Sequence, residues 1–506
     1  MLISHGIRAA AARTPGKIAL QEDARQITFA ALIERIDRVG HLAQSGLGLR
    51  HGERAVILAP NRIEYLEVVA GLSAVGVAVA SIGPAASLPE IRFICEDSAA
   101  RVLFVDAALE EAARAAIPAS VEQVIVFGDQ YEGLLQRAAT SPCVAATTEQ
   151  DIFSIPYTSG STGRPKGVML SHRGRILSAF CMAAEHGCYS PDDRAIATTP
   201  MFHGAGLLMA LTPIFFGGSV RVLQRFDVEK LLHAIGDFGA TSAYLVPTHF
   251  AALFAMSAEA RGKFRVGTLK AVISGTAPLA QALKSEIIGY FGDGRLYERY
   301  GATETSIATC LRPADQLRKI ACVGLPLPLT RVQVRGDDGR ALPPGEVGEL
   351  AVCSPYMFSG YLNMPEATAA GMRDGWFVTG DLARRDEEGY VYLVDRKNDM
   401  IISGGENVYP REVEEVLRAH PAVADCAVTG APHPYWGEAI VAFVVPRPGT
   451  VPDVAVLLDL CRQHLSRYKV PKDIRLVESL PRNSMGKVLR RDLRDGLRAE
   501  AAATTT

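Results

Sequence analysis

From about residue 27 to residue 300, short apolar runs alternate with amphipathic segments. The runs Arg54–Ala59, Ala78–Ser81, Val102–Val105 and Val124–Phe127 are too short and too evenly apolar for surface helices and read as buried strands. Between them Ile63–Ala74 carries a helical pattern, and Ser87 followed by Glu90 has the spacing of a capping box. A second series follows, with strands near Ala195–Thr198, Val220–Leu223, Ser242–Val246 and Leu269–Ile273. Helices at Val228–Phe238 and Leu279–Phe291 separate them. Strands alternating with helices imply mainly parallel sheets covered by helices.

The pattern changes twice more. Between Cys322 and Tyr392, turn signals crowd around short strands, which suits a small antiparallel sheet or barrel. After Arg396 come a helix from Pro410, strands at Val423–Val428 and Ala439–Val445, and a helix from about Val454. The predicted fold is α/β: a large N-terminal domain with a barrel-like subdomain over residues 1–396, then a small α+β domain over 397–506.

At 506 residues the chain exceeds one ordinary core, so two or more domains are expected. A net charge of −2 offers no basic excess for phosphate backbones, so no nucleic-acid partner is expected. Nine cysteines without a CxxC pair fit a reducing cytoplasm better than a disulfide framework or structural zinc. Val68–Leu88 holds 21 residues without a charge, long enough for a membrane span. Gly71, Gly76, Gly83 and Pro84 break it, so it reads as a helix end, a turn and a buried strand. The first residues lack the apolar core of a secretory signal. The oligomeric state is left open, a homodimer included.

The strongest local signal is Tyr157-Thr-Ser-Gly-Ser-Thr-Gly-Arg-Pro-Lys-Gly167. Thr158, Ser159, Gly160, Ser161, Thr162 and Gly163 would let backbone N–H and hydroxyl groups crowd around phosphate oxygens. Arg164 and Lys166 would supply charge for the same oxygens. The spacing is not that of a Walker A loop. A flexible Ser/Gly linker is the plainer alternative, weakened by the two cations and the strand placed directly before.

Further motifs follow in order: Ser274-Gly-Thr-Ala-Pro278, Tyr300-Gly-Ala-Thr-Glu-Thr305, Thr379-Gly-Asp381, Asp395-Arg396, Ser403-Gly-Gly405 and Pro481-Arg-Asn-Ser-Met-Gly-Lys487. Together they resemble the adenylate-forming superfamily of acyl-CoA synthetases, luciferases and nonribosomal adenylation domains, over nearly the whole chain. The resemblance implies that a carboxylic acid is activated with ATP to an acyl-adenylate and pyrophosphate, then passed to coenzyme A.

Roles follow residue by residue from that resemblance. Asp381 would accept both ribose hydroxyls, and Arg396 would hold ribose or phosphate with its fork of donors. Glu304 would carry Mg²⁺, a hard cation that takes oxygen ligands, and Thr303 would bind the α-phosphate, although Thr303 could equally cap a helix. Gly275, Thr276 and Ala277 would leave room for the purine, beside Tyr300 and Gly301, or simply make a strand-to-helix turn. Lys487 would offset charge building on phosphorus as two anions meet. Without the resemblance it reads as a solvated surface lysine.

The resemblance also implies that the C-terminal domain rotates between the two half-reactions. The hinge position, usually Asp or Lys, is Asn398 here. After rotation Ser403, Gly404 and Gly405 would line the pantetheine tunnel, unless they form an ordinary glycine turn. His203 is similar to an aromatic gate between acyl pocket and tunnel, and is otherwise a structural histidine. The acyl pocket would draw on His203, Gly204, His249, Gly275, Gly301, Ala302 and Ile307, mostly small or apolar.

Malonate-activating relatives carry an arginine after the VPT motif, where this chain has His249-Phe-Ala-Ala252. An apolar monocarboxylic acid is therefore expected: short- to medium-chain, cyclic or aromatic. An amino-acid adenylation domain would need an aspartate near His203-Gly204, and none lies between Met201 and Leu211. A ligase loading a carrier protein typically has an insertion before the hinge, for which the Asp381–Arg396 spacing leaves no room. A nucleotide-binding protein without catalysis is the remaining alternative, opposed by the intact Lys487, Glu304, Asp381 and Arg396.

Overall fold

The computed structural model describes residues 1–159, 165–482 and 488–504. Its chain divides into two compact units, residues 1–332 with 352–377 and residues 333–351 with 378–506. Packing thus groups the Asp381 and Arg396 strands with the C-terminal residues. The expected boundary at 396/397 falls inside the second of these units.

Among the described residues, the first unit holds two large sheets. One runs Gly360–Tyr361, Pro165–Ser171, Ile152–Ser159, Ala78–Ile82, Arg54–Leu58, Val102–Val105 and Gln123–Val126. From Ile152–Ser159 onward its pairings are parallel, and the first two are antiparallel. Parallel strands need crossovers, and the apolar runs are covered on both faces. The helix Ile63–Ala74 is one such crossover, buried from Ile63 to Ser73. With the strand Ala78–Ile82 it accounts for most of the uncharged stretch. No helix among the described residues is long and apolar enough to cross a membrane. At Ser87 the expected box forms: the Glu90 carboxylate accepts the Ser87 N–H at 2.8 Å and its hydroxyl at 2.9 Å.

The other sheet runs Leu325–Pro326, Thr309–Leu311, Leu296–Tyr300, Ala271–Ser274, Ser242–Leu245, Arg194–Ala197, Ser219–Val222, Ile18–Glu22 and Arg25–Thr28. Its last hairpin enters through a parallel pairing of Leu20 with Val220, 200 residues away in sequence. No local pattern announces that pairing.

In the second unit, Glu406–Val408, Ile401–Ser403, Gly437–Pro446 and Val423–His433 form a sheet, with Asp473–Leu476 parallel to Gly437–Pro446. Helices Pro410–Arg418 and Val454–His464 lie close to the expected positions. The strand from Val423 continues to His433, past the expected end at Val428. Its partner Gly437–Pro446 pairs all the way to His433, and an edge strand tolerates Pro432, whose missing N–H leaves no gap in the ladder interior.

Candidate functional site

In the first unit, the strand Ile152–Ser159 turns back antiparallel as Pro165–Ser171, with Thr158 opposite Lys166. The described parts of the Tyr157–Gly167 motif are therefore paired antiparallel strands. Gly160, Ser161, Thr162 and Gly163 lie outside the described residues. Gly360–Tyr361 pairs with the returning strand, Tyr361 opposite Val168. This brings the Tyr361 ring to 4.9 Å from Lys166 Nζ. The Tyr361 hydroxyl donates to Glu304 Oε1 at 2.7 Å. Burial, then the Glu304 carboxylate, push this phenol far above its usual range, so it stays a donor.

Glu304 stands in the turn after the strand Leu296–Tyr300. Ala302 N–H donates to Thr305 Oγ1 at 2.9 Å, and Ala308 N–H closes back on Tyr300 O at 2.8 Å. No helix starts there, so Thr303 is not a helix cap. The turn is tight: a Cβ on Gly301 would lie 1.9 Å from Ser306 O, so only glycine fits. Phe358 N–H holds the Glu304 carbonyl at 2.8 Å. The Thr303 methyl and Pro156 each lie 3.5 Å from where a Cβ on Gly204 would stand. The hairpin, the Thr303-Glu304 turn and the start of the helix Gly204–Phe215 thus converge on one place.

Gly275, Thr276 and Ala277 follow the strand Ala271–Ser274 and lead to the helix Gln281–Phe291. Thr276 adopts a left-handed backbone, φ +72°, and its hydroxyl donates to Gly275 O at 2.5 Å. A Cβ on Gly275 would meet Arg299 Cγ, Arg299 O and Tyr244 Oη, each at 3.1 Å. Glycine here serves close packing between strands.

Of the expected acyl-pocket residues, Ile307 sits in an apolar cluster with Met182, Leu208, Met209 and Tyr244. His203 precedes the helix Gly204–Phe215, its ring 4.1 Å from that of Phe202. Its buried Nε2 meets no partner among the described residues, and burial lowers its pKa to about 4. His249 is placed differently. Its ring stacks on Phe226 at 3.8 Å, and Val246 N–H reaches its Nδ1 at 3.5 Å, at the start of its own helix Pro247–Ala255.

In the second unit, Asp381 and Arg396 face each other across a hairpin, joined at 3.2 Å. Thr379 orients the turn, accepting the Asp381 N–H at 3.1 Å while donating to Leu350 O at 2.9 Å. Asn398 follows in a turn whose carbonyl accepts Arg494 Nη1 at 3.3 Å. Ser403 pairs with Glu406 across a two-residue turn, Gly404 and Gly405, with φ +62° and +86°. A Cβ on Gly404 would press on Trp436 at 3.0 Å, whereas nothing lies within 4 Å of one on Gly405. Backbone conformation therefore calls for glycine at 405 in this arrangement. Lys487 lies outside the described residues; Arg482 and Val488, which flank that stretch, form an antiparallel bridge.

The AMP-binding enzyme family matches residues 7–362, and the AMP-binding enzyme C-terminal domain matches residues 412–487. The chain belongs to the AMP-binding enzyme family. It is 35% identical to a feruloyl-CoA synthase of Amycolatopsis sp over 485 residues, 95% of this chain and 96% of that one. It is 33% identical to the fatty acid–[acyl-carrier-protein] ligase ScoC of Streptomyces coeruleorubidus over 489 residues, 95% and 93% of the two. The o-succinylbenzoate CoA synthetase of Bacillus subtilis, solved with its acyl-adenylate intermediate, superposes with a TM-score of 0.86 at 30% identity, covering 97% and 98%.

Within this AMP-binding enzyme, three residues escaped the sequence reading. Tyr361, which links Lys166 to Glu304, belongs to no local motif and arrives by strand pairing alone. Arg175 and Arg299 are buried beside the apolar cluster, Arg299 with its guanidinium 4.3 Å over the Tyr244 ring. A signal for Arg175 was available. It shares one face of the helix His172–His186 with Met182 and His186, all buried, where a cation is out of place.

Proposed function

We propose that the acid taken by this AMP-forming acid–CoA ligase has an aromatic or cyclic, largely apolar body. The observation that carries this is the apolar cluster around Ile307, set beside the turn that holds Thr303 and Glu304. The feruloyl and o-succinylbenzoate names of its relatives support a ring-bearing acid.

In this reading Lys166, with the hairpin tip, holds the phosphates of ATP. Its charge rests over the Tyr361 ring until phosphate oxygens offer better partners. Tyr361 fixes the Glu304 carboxylate by one oxygen, and Oε2 accepts no hydrogen bond among the described residues. Glu304 thereby fits a Mg²⁺ site that takes one protein carboxylate and the rest from phosphates and water. When bound, Mg²⁺ supplies charge neutralisation for the departing pyrophosphate. Thr303 donates to the α-phosphate, and Asp381 accepts the ribose hydroxyls, with Arg396 alongside.

Lys487 would offset the charge on carboxylate and α-phosphate as the P–O bond to pyrophosphate breaks and the carboxylate–phosphorus bond forms. His203, neutral above about pH 4 by burial, gates the acyl group without adding charge. For thioester formation residues 397–506 turn about Asn398 against residues 1–396, and Ser403-Gly-Gly405 lines the pantetheine path. The thiol then attacks the acyl carbonyl and AMP leaves. The nine cysteines without a CxxC pair support a cytoplasmic site of action.

Pyrophosphate release with ATP, Mg²⁺ and a panel of acids, with and without coenzyme A, tests this. Turnover that needs coenzyme A and peaks on a ring-bearing acid is expected. A burst that coenzyme A does not accelerate transfers the acceptor role to a carrier protein, the reading that the likeness to the carrier-protein ligase favours. Lys487→Ala should abolish pyrophosphate release yet convert supplied acyl-adenylate to thioester. Equal loss of both half-reactions would sink the rotation.

A further inference from the structure

The helix Leu88–Asp97 ends on a carboxylate, where the unpaired carbonyls of a helix favour a cation. Asp97 works against its own helix, and a local mismatch of that kind points to a gain elsewhere. Two distant side chains reach it. The Tyr157 hydroxyl donates to Asp97 Oδ2 at 2.7 Å. The Asn363 side-chain amide donates to Asp97 O at 2.7 Å and lies 3.4 Å from Oδ1.

Both partners flank the residues assigned to ATP. Tyr157, on the strand Ile152–Ser159, stands opposite Gly167 on the returning strand. Asn363 closely follows Tyr361 and takes a left-handed backbone, φ +53°, which asparagine tolerates better than most residues. Gly167 is enclosed between the two: a Cβ there would lie 3.0 Å from Tyr157 Cζ and 3.2 Å from Leu362 Cβ. Leu362 N–H also holds Gly167 O at 2.8 Å. Directly before Gly167 comes Lys166, whose ammonium lies 4.9 Å from the Tyr361 ring, and Tyr361 holds Glu304 at 2.7 Å. Asp97 thus closes a frame, with the Tyr157 strand on one side of Lys166 and the Tyr361–Asn363 segment on the other. Burial, then the Asp97 carboxylate, push the Tyr157 phenol above its usual range, so it stays a donor at neutral pH. A bond from a phenol to a carboxylate is among the stronger ones a side chain makes.

We propose that Asp97 is a positioning residue for the phosphates of ATP: it fixes the separation of the Tyr157 strand from the Tyr361–Asn363 segment, and through them the places of Lys166 and Glu304. This rests on the reading of Lys166 and Glu304 given above and deepens it by naming what holds them in register. The bound acid is insulated from the change, because Tyr157 and Leu362 pack in a different apolar cluster from that of Ile307.

The test is pyrophosphate release with an accepted acid, varying ATP and then the acid. Asp97→Ala should raise KM for ATP about tenfold, since a displaced lysine meets the phosphates poorly, and leave KM for the acid within about twofold. The Mg²⁺ concentration that gives half the maximal rate should rise with it. Tyr157→Phe should act alike, and the double variant should be no worse than the poorer single one, because both remove the same bond. Asp97→Asn, which keeps an acceptor, should recover most of the loss. A tie that served stability alone would lower Tm without separating the two KM values. Should Asp97→Ala fail to fold, Tyr157→Phe and Asn363→Ala carry the test, each expected to raise KM for ATP alone. An unchanged KM for ATP, equal shifts in both KM values, or effects that multiply in the double variant overturn the proposal. Lys166→Ala separates it from the reading beneath: if that substitution raises KM for ATP while Asp97→Ala does not, the positioning role alone falls. If Lys166→Ala also leaves KM for ATP unchanged, the phosphate role of Lys166 falls with it.

Discussion

Two buried charge clusters in the first unit are built in opposite ways. Around Glu67, which is wholly buried, Arg35 donates to both carboxylate oxygens at 2.6 and 2.9 Å, and the Tyr131 hydroxyl adds a third bond at 3.1 Å. Arg35 turns its remaining donors to Glu132. Every charge has its complement within the chain. Around Arg175 and Arg299, among the described residues, the donors outnumber the acceptors and no carboxylate answers them. The first cluster ties the helices Phe29–His41, Ile63–Ala74 and Asp129–Arg137 together. The second supplies no such tie among the described residues. Saturation, more than burial, separates a charge that stabilises a fold from one that burdens it.

The contrast can be broken most directly at Glu67. Glu67→Ala leaves Arg35 with an unmatched buried charge, and unfolding experiments should show a loss of about 3–5 kcal/mol. Arg175→Met, at similar burial, should show none. A comparable loss at both positions would erase the distinction.

Histidines give the next largest effect. His172 is saturated: Ile3 N–H donates to its Nδ1 at 3.2 Å, and Nε2 lies 3.1 Å from Ser73 O. Burial lowers its pKa to about 4, below the unfolded value near 6.5. Between those values the unfolded chain binds the extra proton, so stability is full above about pH 6.5 and falls as the pH drops toward 4. The fall attributable to this residue is about 3 kcal/mol. Urea midpoints measured from pH 7 to pH 4 check this, and His172→Gln should flatten the slope.

Gly301→Ala should cost about 1–3 kcal/mol, because the new methyl meets the Ser306 carbonyl and the turn must open. The same shift moves Thr303 and Glu304, so pyrophosphate release should fall further than stability does; equal losses would leave the turn a purely structural feature. The smallest stability effect is expected at Asp381. Its partner Arg396 is half exposed, so in urea unfolding the Asp381–Arg396 pair should contribute no more than a surface pair, about 1 kcal/mol at most, to the loss in Asp381→Asn. Its effect on kcat/KM for ATP should be about 10- to 150-fold, the worth of a hydrogen bond to a charged group.

The strands Val102–Val105 and Ser242–Leu245 and the helices Ile63–Ala74 and Val228–Phe238 were legible because each carries its own period or its own bounded apolar run. So was the strand placed directly before the Ser/Gly-rich motif, which the structure shows as Ile152–Ser159. For His249 the structure adds what no motif states: its ring stacks on Phe226 and its Nδ1 faces Val246 N–H at the start of its own helix.

By itself, then, the chain's sequence determined the alternation of strands and helices, the order of the chemical motifs and the membership that those motifs imply. These follow from interactions within a few residues, where periodicity and glycine conformations act. The tertiary structure decided what depends on distant partners: the pairing of Leu20 with Val220, the delivery of Tyr361 between Lys166 and Glu304, and the burial of Arg175 and Arg299 without a carboxylate partner among the described residues. The physical reason is the same for each. A charge or a phenol has no meaning until its surroundings set how many partners it has, and those surroundings come from strands and helices far apart in the sequence.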